Sequence, residues 1–265
     1  MIAILRQIPS EAQIKKSLRQ IIFGKNMFCP QCSSRMVYRS EERYRCVSCR
    51  RPFTLLSHTW LKHLRLNLRT FWALLWCWTQ AIPVLQAGRL CQVNEKTVRH
   101  WFREFRIHLP QLEPILGGTV QMDEAYFRQW SLVMAKQVGS TKLAYRMMPK
   151  PSVNRQDVCR FVFECVEPRS TLQTDGGAIY QGLPRLWPVK HKRDIHNKWE
   201  FELTSEIEGM FGNLRTFIRR MYHHVTPGAL PEYVSEFCVR FSSPEIFVSP
   251  QAYLKNTLQP VPLAT

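Results

Sequence analysis

No apolar run in this chain is long enough to cross a bilayer. The strongest candidate, "FWALLWCWTQAIPVL" (Phe71 to Leu85), is broken by Thr79, Gln80 and Pro83. It falls short of the roughly 20 residues that a spanning helix needs and reads instead as a buried helix. The opening "MIAILRQIPSEAQIKKSLRQ" has a tiny apolar stretch with its charges after it, which is not the order of a secretory signal. A cytosolic location with reduced thiols is expected, and no membrane partner. Acid is the second scarcity: 20 Asp and Glu stand against 37 Lys and Arg, a formal charge of +17. The shortage is concentrated at the front, where residues 1–110 hold 19 basic and 5 acidic side chains, against 18 and 15 over residues 111–265. Clustered cations favour a polyanionic partner through steering and counterion release. On charge alone, a solvated basic face or a membrane-surface patch is the blander alternative.

The 265 residues suffice for one catalytic domain with smaller modules attached. Nine cysteines under reducing conditions ask for a metal before a disulfide, and four have the spacing for one. In "FCPQCSSRMVYRSEERYRCVSCRRPF", Cys29 and Cys32 form one Cys-x-x-Cys pair and Cys46 and Cys49 another, thirteen residues on. Each pair offers two thiolates from one tight turn, and two such knuckles complete a tetrahedron around Zn²⁺. Between them "RMVYRS" and "RYRCV" alternate like two short strands about the turn "SEE". A zinc ribbon over residues 27–57 is expected, its single Zn²⁺ structural because so small a module does not fold without metal. Two independent redox pairs are the rival reading, but no strand-helix thioredoxin context surrounds either one. Cys77, Cys91, Cys159, Cys165 and Cys238 are scattered singly and read as ordinary buried thiols. Arg35, Arg39, Arg43, Arg45, Arg50 and Arg51 decorate the ribbon, with phosphate as the obvious partner.

Beyond the ribbon, "LSHTWLKHLRLNLRTFWALLWCWTQ" has apolar spacing that predicts a packed helix. "IPVLQAGRLCQVNEKTVRHWFREFRIHL" then predicts a helix, a break near Gln92 to Val93, and a second helix capped by Asn94 with Glu95 in its first turn. This is a helix-turn-helix pattern within residues 58–112. Val98, Trp101, Phe102 and Phe105 would form the buried stripe, with Lys96, Thr97, Arg99, His100 and Arg103 facing outward. In a major groove that surface gives Lys96, Arg99 and Arg103 phosphate or base contacts. A helical hairpin that merely packs is the alternative.

Three acids draw attention in the second half. "GGTVQMDEAYF" predicts a strand with Val120, Met122 and Glu124 on one side and Gln121, Asp123 and Ala125 on the other, so Asp123 and Glu124 cannot share one site. "RSTLQTDGGAIYQGL" predicts a short strand, Ser170 to Thr174, ending in Asp175, with Gly-Gly after it to permit close approach or a turn. Glu208 lies in a helical segment, Thr204 to Tyr222. Seven residues on a helix make about 700° and a rise of roughly 10 Å, so Glu208 and Arg215 share a face. Glu206, one position off that face, is the rival carboxylate. In "HKRDIHNKWE", His196 and Asn197 read as ordinary loop residues.

These pieces together resemble the bacterial insertion-sequence transposases of the DDE superfamily, in the group with an N-terminal zinc ribbon. The matching motifs are "CPQC…CVSC", "VQMDEAYF", "TDGGAIYQGL", "TSEIEGMFGNLRTFIRRMYHH" and "YVSEFCVRF", from about Phe28 to Phe241. The resemblance implies an α/β, RNase H-like catalytic domain with a mixed sheet flanked by helices, over residues 113–243. It makes Asp123, Asp175 and Glu208 the ligands of two Mg²⁺ or Mn²⁺ ions, hard cations that demand oxygen donors. Arg215 stands where the family usually has Lys, and Ser205 where it often has Asn; Arg215, Arg219 and Arg220 would grip phosphates of the transposon end. The expected organisation is an N-terminal helix or arm (1–26), ribbon (27–57), helix-turn-helix segment (58–112), catalytic domain (113–243) and extended C-terminal arm (244–265). The implied partners are the inverted repeats, target DNA and at least one further copy of the chain. Two rival classes are a domesticated, non-catalytic DNA-binding regulator and an RNase H-like nuclease.

Overall fold

The computed structural model describes residues 8–41, 43–149, 153–193 and 204–258. They divide into two compact units: one carries the described residues up to His108 together with those from Glu245 onward, and the other is Leu109–Pro244. Among the described residues no helix is long and apolar enough to cross a membrane.

The first unit opens with α1 (Glu11–Phe23), started by a reciprocal cap. The Ser10 hydroxyl accepts from the Gln13 N–H, and the Gln13 side-chain oxygen accepts from the Ser10 N–H, which satisfies donors that a helix start otherwise leaves open. Ile14, Leu18 and Ile22 recur every four residues and are buried together. The ribbon follows as a three-stranded antiparallel sheet of β1 (Val37–Ser40), β2 (Arg43–Cys46) and β3 (Pro52–Phe53). Next come turns, where the sequence pattern predicts helix. The helix α2 (Leu68–Thr79) begins only after Asn67, whose side chain accepts from the Thr70 N–H at 2.8 Å. Upstream, Thr59 Oγ1 donates to the Leu56 carbonyl at 2.7 Å and His58 takes a left-handed backbone, local bonds that compete with helix. Helices α3 (Val84–Cys91) and α4 (Glu95–Ile107) are joined through Gln92 in the left-handed region, with Asn94 capping α4. Val98, Trp101, Phe102 and Phe105 are all buried.

The Pro-rich tail corrects a second expectation, because it is not an extended arm. Ser249 caps a helix α9 (Pro250–Thr257) in which Pro250 occupies the first turn, where its missing N–H costs nothing. Tyr253 is fully buried, donates its hydroxyl to the Phe105 carbonyl at 2.7 Å, and packs edge-on against Trp78 at 5.2 Å. The tail thus closes the aromatic core formed by Trp60, Phe71, Trp78, Trp101 and Phe105.

The second unit is built on a five-stranded mixed sheet of β4 (Thr119–Tyr126), β5 (Trp130–Gln137), β6 (Leu143–Pro149), β7 (Thr171–Thr174) and β8 (Lys190–Arg193), in the order β6-β5-β4-β7-β8. β4, β5 and β6 pair antiparallel as successive hairpins, while β4-β7-β8 is parallel. Helices cover both faces: α5 (Arg155–Cys165) with a short α6 (Leu183–Leu186), and α7 (Ser205–Tyr222) with α8 (Leu230–Ser242). This is the RNase H-like mixed sheet flanked by helices. Strand alternation sends Val120 and Met122 into the core containing Val158, Phe161 and Val162 of α5. Ala125 goes to the opposite core, with Ile207, Met210, Phe211 and Leu214 of α7. Gln121 and Asp123 therefore lie on the α7 side.

Two glycines, Gly209 and Gly212, interrupt α7 on its exposed side, and a Cβ added at either meets nothing within 4 Å. With no packing reason for glycine there, Gly212→Ala is expected to stabilise the unit by roughly 1 kcal/mol, read by urea or thermal unfolding.

Candidate active site

The parallel pairing of β4 with β7 aligns Thr119 with Thr171, Val120 with Leu172 and Gln121 with Gln173. Carried one pleat further, the same register sets Asp123 opposite Asp175, on the sheet face that α7 covers. Neighbouring strands lie about 4.8 Å apart, so two acids at one register level are close neighbours. Glu208 sits in the first turn of α7, and its charge, with those of Glu124 and Asp175, acts on the Asp123 carboxyl. Burial is the largest influence and pushes Asp123 up to about 6; the Glu124 N–H, which donates to Asp123 Oδ1 at 2.8 Å, opposes it, and the surrounding carboxylates reinforce it. Glu206, the rival carboxylate, forms an ion pair with buried Lys136, whereas Glu208 is among the charges that act on Asp123.

Glycine matters at Gly177. Its N–H donates to Asp175 Oδ1 at 2.9 Å, and a Cβ there would stand 2.9 Å from the same oxygen. Any side chain would displace the carboxylate that the backbone now holds. On the other face, Glu124 accepts from the buried hydroxyl of Tyr180 and from Tyr126, and burial raises its pKa while the Tyr180 bond opposes the rise. Alternation keeps it from the Asp123 side, as the strand pattern predicts.

Among the described residues, the four ribbon cysteines are the group whose ligand atoms all lie within 4.8 Å of one another. Asp123, Asp175 and Glu208 are not such a group: their ligand atoms do not all lie within that distance of one another. In the ribbon, Cys29 and Cys49 sulfurs are 3.6 Å apart, as are those of Cys32 and Cys46. A tetrahedral site with metal–sulfur bonds of about 2.3 Å has edges of about 3.8 Å, so the thiols fit Zn²⁺. Ser33 and Arg50, each following the second cysteine of its knuckle, adopt left-handed backbone, which turns the chain sharply enough for the pair to converge.

Of the cations expected to meet DNA, Lys96 and Arg103 are exposed along α4, while Arg99 is partly covered and bonds Glu95 at 2.7 Å. Arg215, Arg219 and Arg220 are exposed on α7, one continuous helix that also carries Glu208. All six ribbon arginines are exposed. His196 and Asn197 lie outside the described residues. Sequence reasoning missed Gln121, Lys136 and Tyr180. A signal for Gln121 was present: "QMD" and "QTD" repeat Gln-x-Asp on both strands, which at the strand period puts each Gln on its Asp's face.

Comparison with known proteins bears on this arrangement. Residues 128–242 match the model of the ISXO2-like transposase domain, and residues 9–52 match the transposase zinc-ribbon domain. The first match includes Asp175 and Glu208 and begins after Asp123; the second includes all four ribbon cysteines. A relative described as an uncharacterized protein in transposable element ISH50, from Halobacterium salinarum (strain ATCC 700922 / JCM 11081 / NRC-1), is 27% identical over 130 residues. That match covers 47% of this chain and 44% of the relative, so the chain spans under half of that protein's length. Among solved structures, the catalytic core domain of BIV integrase is similar at 12% identity, over 47% of this chain and 82% of that one, with a TM-score of 0.34. A simian T-cell lymphotropic virus intasome in complex with PP2A regulatory subunit B56 gamma is similar at 11% identity, over 63% and 67%, with a TM-score of 0.36. Scores at this level add nothing to the topology already described. Residues 9–52 and 128–242 thus carry, in one chain, the zinc ribbon and the ISXO2-like domain of insertion-sequence transposases.

Proposed function

We propose that this chain is a Mg²⁺- or Mn²⁺-dependent DNA transposase that binds the ends of its element, cleaves to free 3′-hydroxyls and joins them to target DNA. The observation that carries this reading is the common register of Asp123 and Asp175 on the sheet face covered by α7, with Glu208 close enough to act on Asp123. Divalent ions held by these three acids would supply Lewis-acid chemistry at the scissile phosphate. The chain's own contribution is position and charge. Asp123, on a central strand, and Asp175, fixed by the Gly177 N–H, are held rigidly, so little reorganisation is required when phosphate arrives. In the first step water attacks the phosphodiester at the element's end and the bond to the 3′ oxygen breaks. In the second, the freed 3′-hydroxyl, losing its proton to water, attacks a phosphodiester of the target, and the target's own bond from phosphorus to its 3′ oxygen breaks to leave a target 3′-hydroxyl.

Arg215, Arg219 and Arg220 supply cations farther along the helix that bears Glu208, placed to hold the phosphates of the element's end. Lys96, Arg99 and Arg103 offer the helix-turn-helix contacts. The Arg99 pair with Glu95 is partly exposed and worth only about 0.3–0.5 kcal/mol, so phosphate displaces it readily. One structural Zn²⁺ in the ribbon completes the DNA-reading part. Two DNA ends must be held together, which a homodimer is the least assembly to do.

The test is a Mg²⁺-dependent assay on labelled DNA carrying the element's ends. Strand joining supports transposition, cutting alone supports a nuclease, and binding alone supports a regulator. Asp175→Ala and Glu208→Ala are each expected to abolish cleavage with end binding kept within about twofold, the pattern of groups that act only in the transition state. Full cleavage by either variant would remove that residue from the site.

A further inference from the structure

Helix α7 starts without help from its own N-cap: the Thr204 side chain makes no capping bond to the backbone. Its hydroxyl donates to Glu208 Oε1 at 3.0 Å instead. Two of the open N–H groups of the first turn are taken from outside the helix, by a strand. Gln121 Oε1 accepts from the Glu206 N–H at 2.9 Å and from the Ile207 N–H at 3.1 Å. Gln121 is 4% exposed, and its Nε2 donates to Gln173 Oε1 at 3.4 Å. One amide therefore ties α7 to β4 and β4 to β7, a single pleat below the two aspartates. Lys136, opposite Gln121 on β5 and 6% exposed, adds a second tie through its ion pair with Glu206. A buried cation and a buried amide in one row of the sheet are expensive unless each is satisfied, and here α7 supplies the ion-pair partner of Lys136 and the donors to Gln121 Oε1.

We infer that Gln121 and Lys136 are positioning residues: a latch between the sheet and the start of α7 that sets Glu208 against Asp123 and Asp175. This rests on the reading of those three acids as the metal-binding site. Glu208 is two residues past Glu206, about 3 Å along the helix axis, and Asp123 is two residues past Gln121, about 7 Å along the strand. An anchor this near leaves the carboxylate little freedom to swing away. A cap that served stability alone would work at any point of the sheet; this one joins the three elements that carry the three acids.

The experiment uses the full-length, zinc-loaded chain and reads Mn²⁺ binding by electron paramagnetic resonance, besides Mn²⁺-dependent cleavage and end binding. Gln121→Met keeps length and loses the acceptor. It is expected to weaken Mn²⁺ binding and raise the Mn²⁺ concentration for half-maximal cleavage by about 10–100-fold, the range seen when a residue that orients metal ligands is removed, with DNA affinity unchanged. Gln121→Glu, which still offers an oxygen to both N–H groups, is expected to recover most of that loss. Unchanged Mn²⁺ binding in Gln121→Met, or an equal loss in both variants, would overturn the latch. Should Gln121→Met not fold, the double variant Lys136→Met with Glu206→Gln, which removes the ion pair without orphaning a charge, decides by the same Mn²⁺ criterion. The two levels separate through Glu208→Gln: if that change leaves Mn²⁺ binding intact, the metal-site reading falls. If it abolishes binding while Gln121→Met does not, only the latch falls.

Discussion

Asp123→Asn is expected to lower DNA cleavage by at least about 10²–10³-fold, the scale for loss of one transition-state electrostatic contact, while making the protein more stable at pH 8 in buffer without added Mg²⁺ or Mn²⁺. The stability gain follows from the raised pKa. In the folded chain the Asp123 carboxyl titrates near 6, chiefly through burial, against 3.8 ordinarily. A folded pKa above the unfolded one means the fold favours the protonated form. Its contribution to stability is whole below the unfolded value and is lost as pH rises through about 6. At pH 8 the ionised group burdens the fold by something on the order of 2 kcal/mol, and asparagine removes that burden. Thermal unfolding of both proteins at pH 5 and pH 8 would show it: the variant's advantage is wide at pH 8 and shrinks at pH 5. Adding Mg²⁺ should then raise the melting temperature of the parent more than that of the variant. Equal melting temperatures at pH 8 would mean that the ionised Asp123 carboxylate does not burden the fold.

Replacing Cys46 with Ser is expected to release about one zinc per chain and unfold the ribbon, with end binding lost as a result. The four thiols already stand at the separations of a tetrahedral site, and the Cys49 N–H, donating to the Cys46 sulfur at 3.5 Å, holds the Cys46 thiol down at about 6. Structural zinc contributes apparent binding energies of about 10–16 kcal/mol at neutral pH. A module whose sheet has strands of four, four and two residues buries far too little to replace that. Metal analysis, far-ultraviolet circular dichroism and a binding assay on element-end DNA would report the three consequences together. Mn²⁺ binding at the carboxylates should survive, because all three acids belong to the other unit. Unchanged zinc content would refute the assignment.

What the sequence made readable was local in kind. Cys-x-x-Cys spacing, the strand alternation around Asp123, the Asn94 cap and the unbroken helix from Glu208 to Arg215 each depend on residues within a turn or two of one another. Their physics needs no knowledge of the rest of the chain. The misreadings were settled by partners far away. The apolar spacing across Leu56 to Leu66 is compatible with helix, yet side-chain bonds at Thr59 and the cap at Asn67 end that option. Pro250 suggested extension, but a proline in the first turn starts a helix as well as it ends one, and it took Trp78 and Phe105 to give Tyr253 a place to bury. Gln121 is the instructive case. Its role is a bond across 85 positions of sequence, and only the repeated Gln-x-Asp hinted that it belonged with the acids.

The chain leaves the first unit at His108 and returns to it at Glu245, so the unit with the five-stranded sheet is an insertion into a host that takes its helix α9 from Pro250–Thr257. Dissection by truncation therefore has to cut twice. A fragment ending at residue 108 would lack Tyr253 and leave Trp78 and Phe105 bare to water, inviting aggregation that mimics a defect in DNA recognition. A stop codon near residue 244 would injure the first unit while sparing the second, the reverse of what its position along the gene suggests.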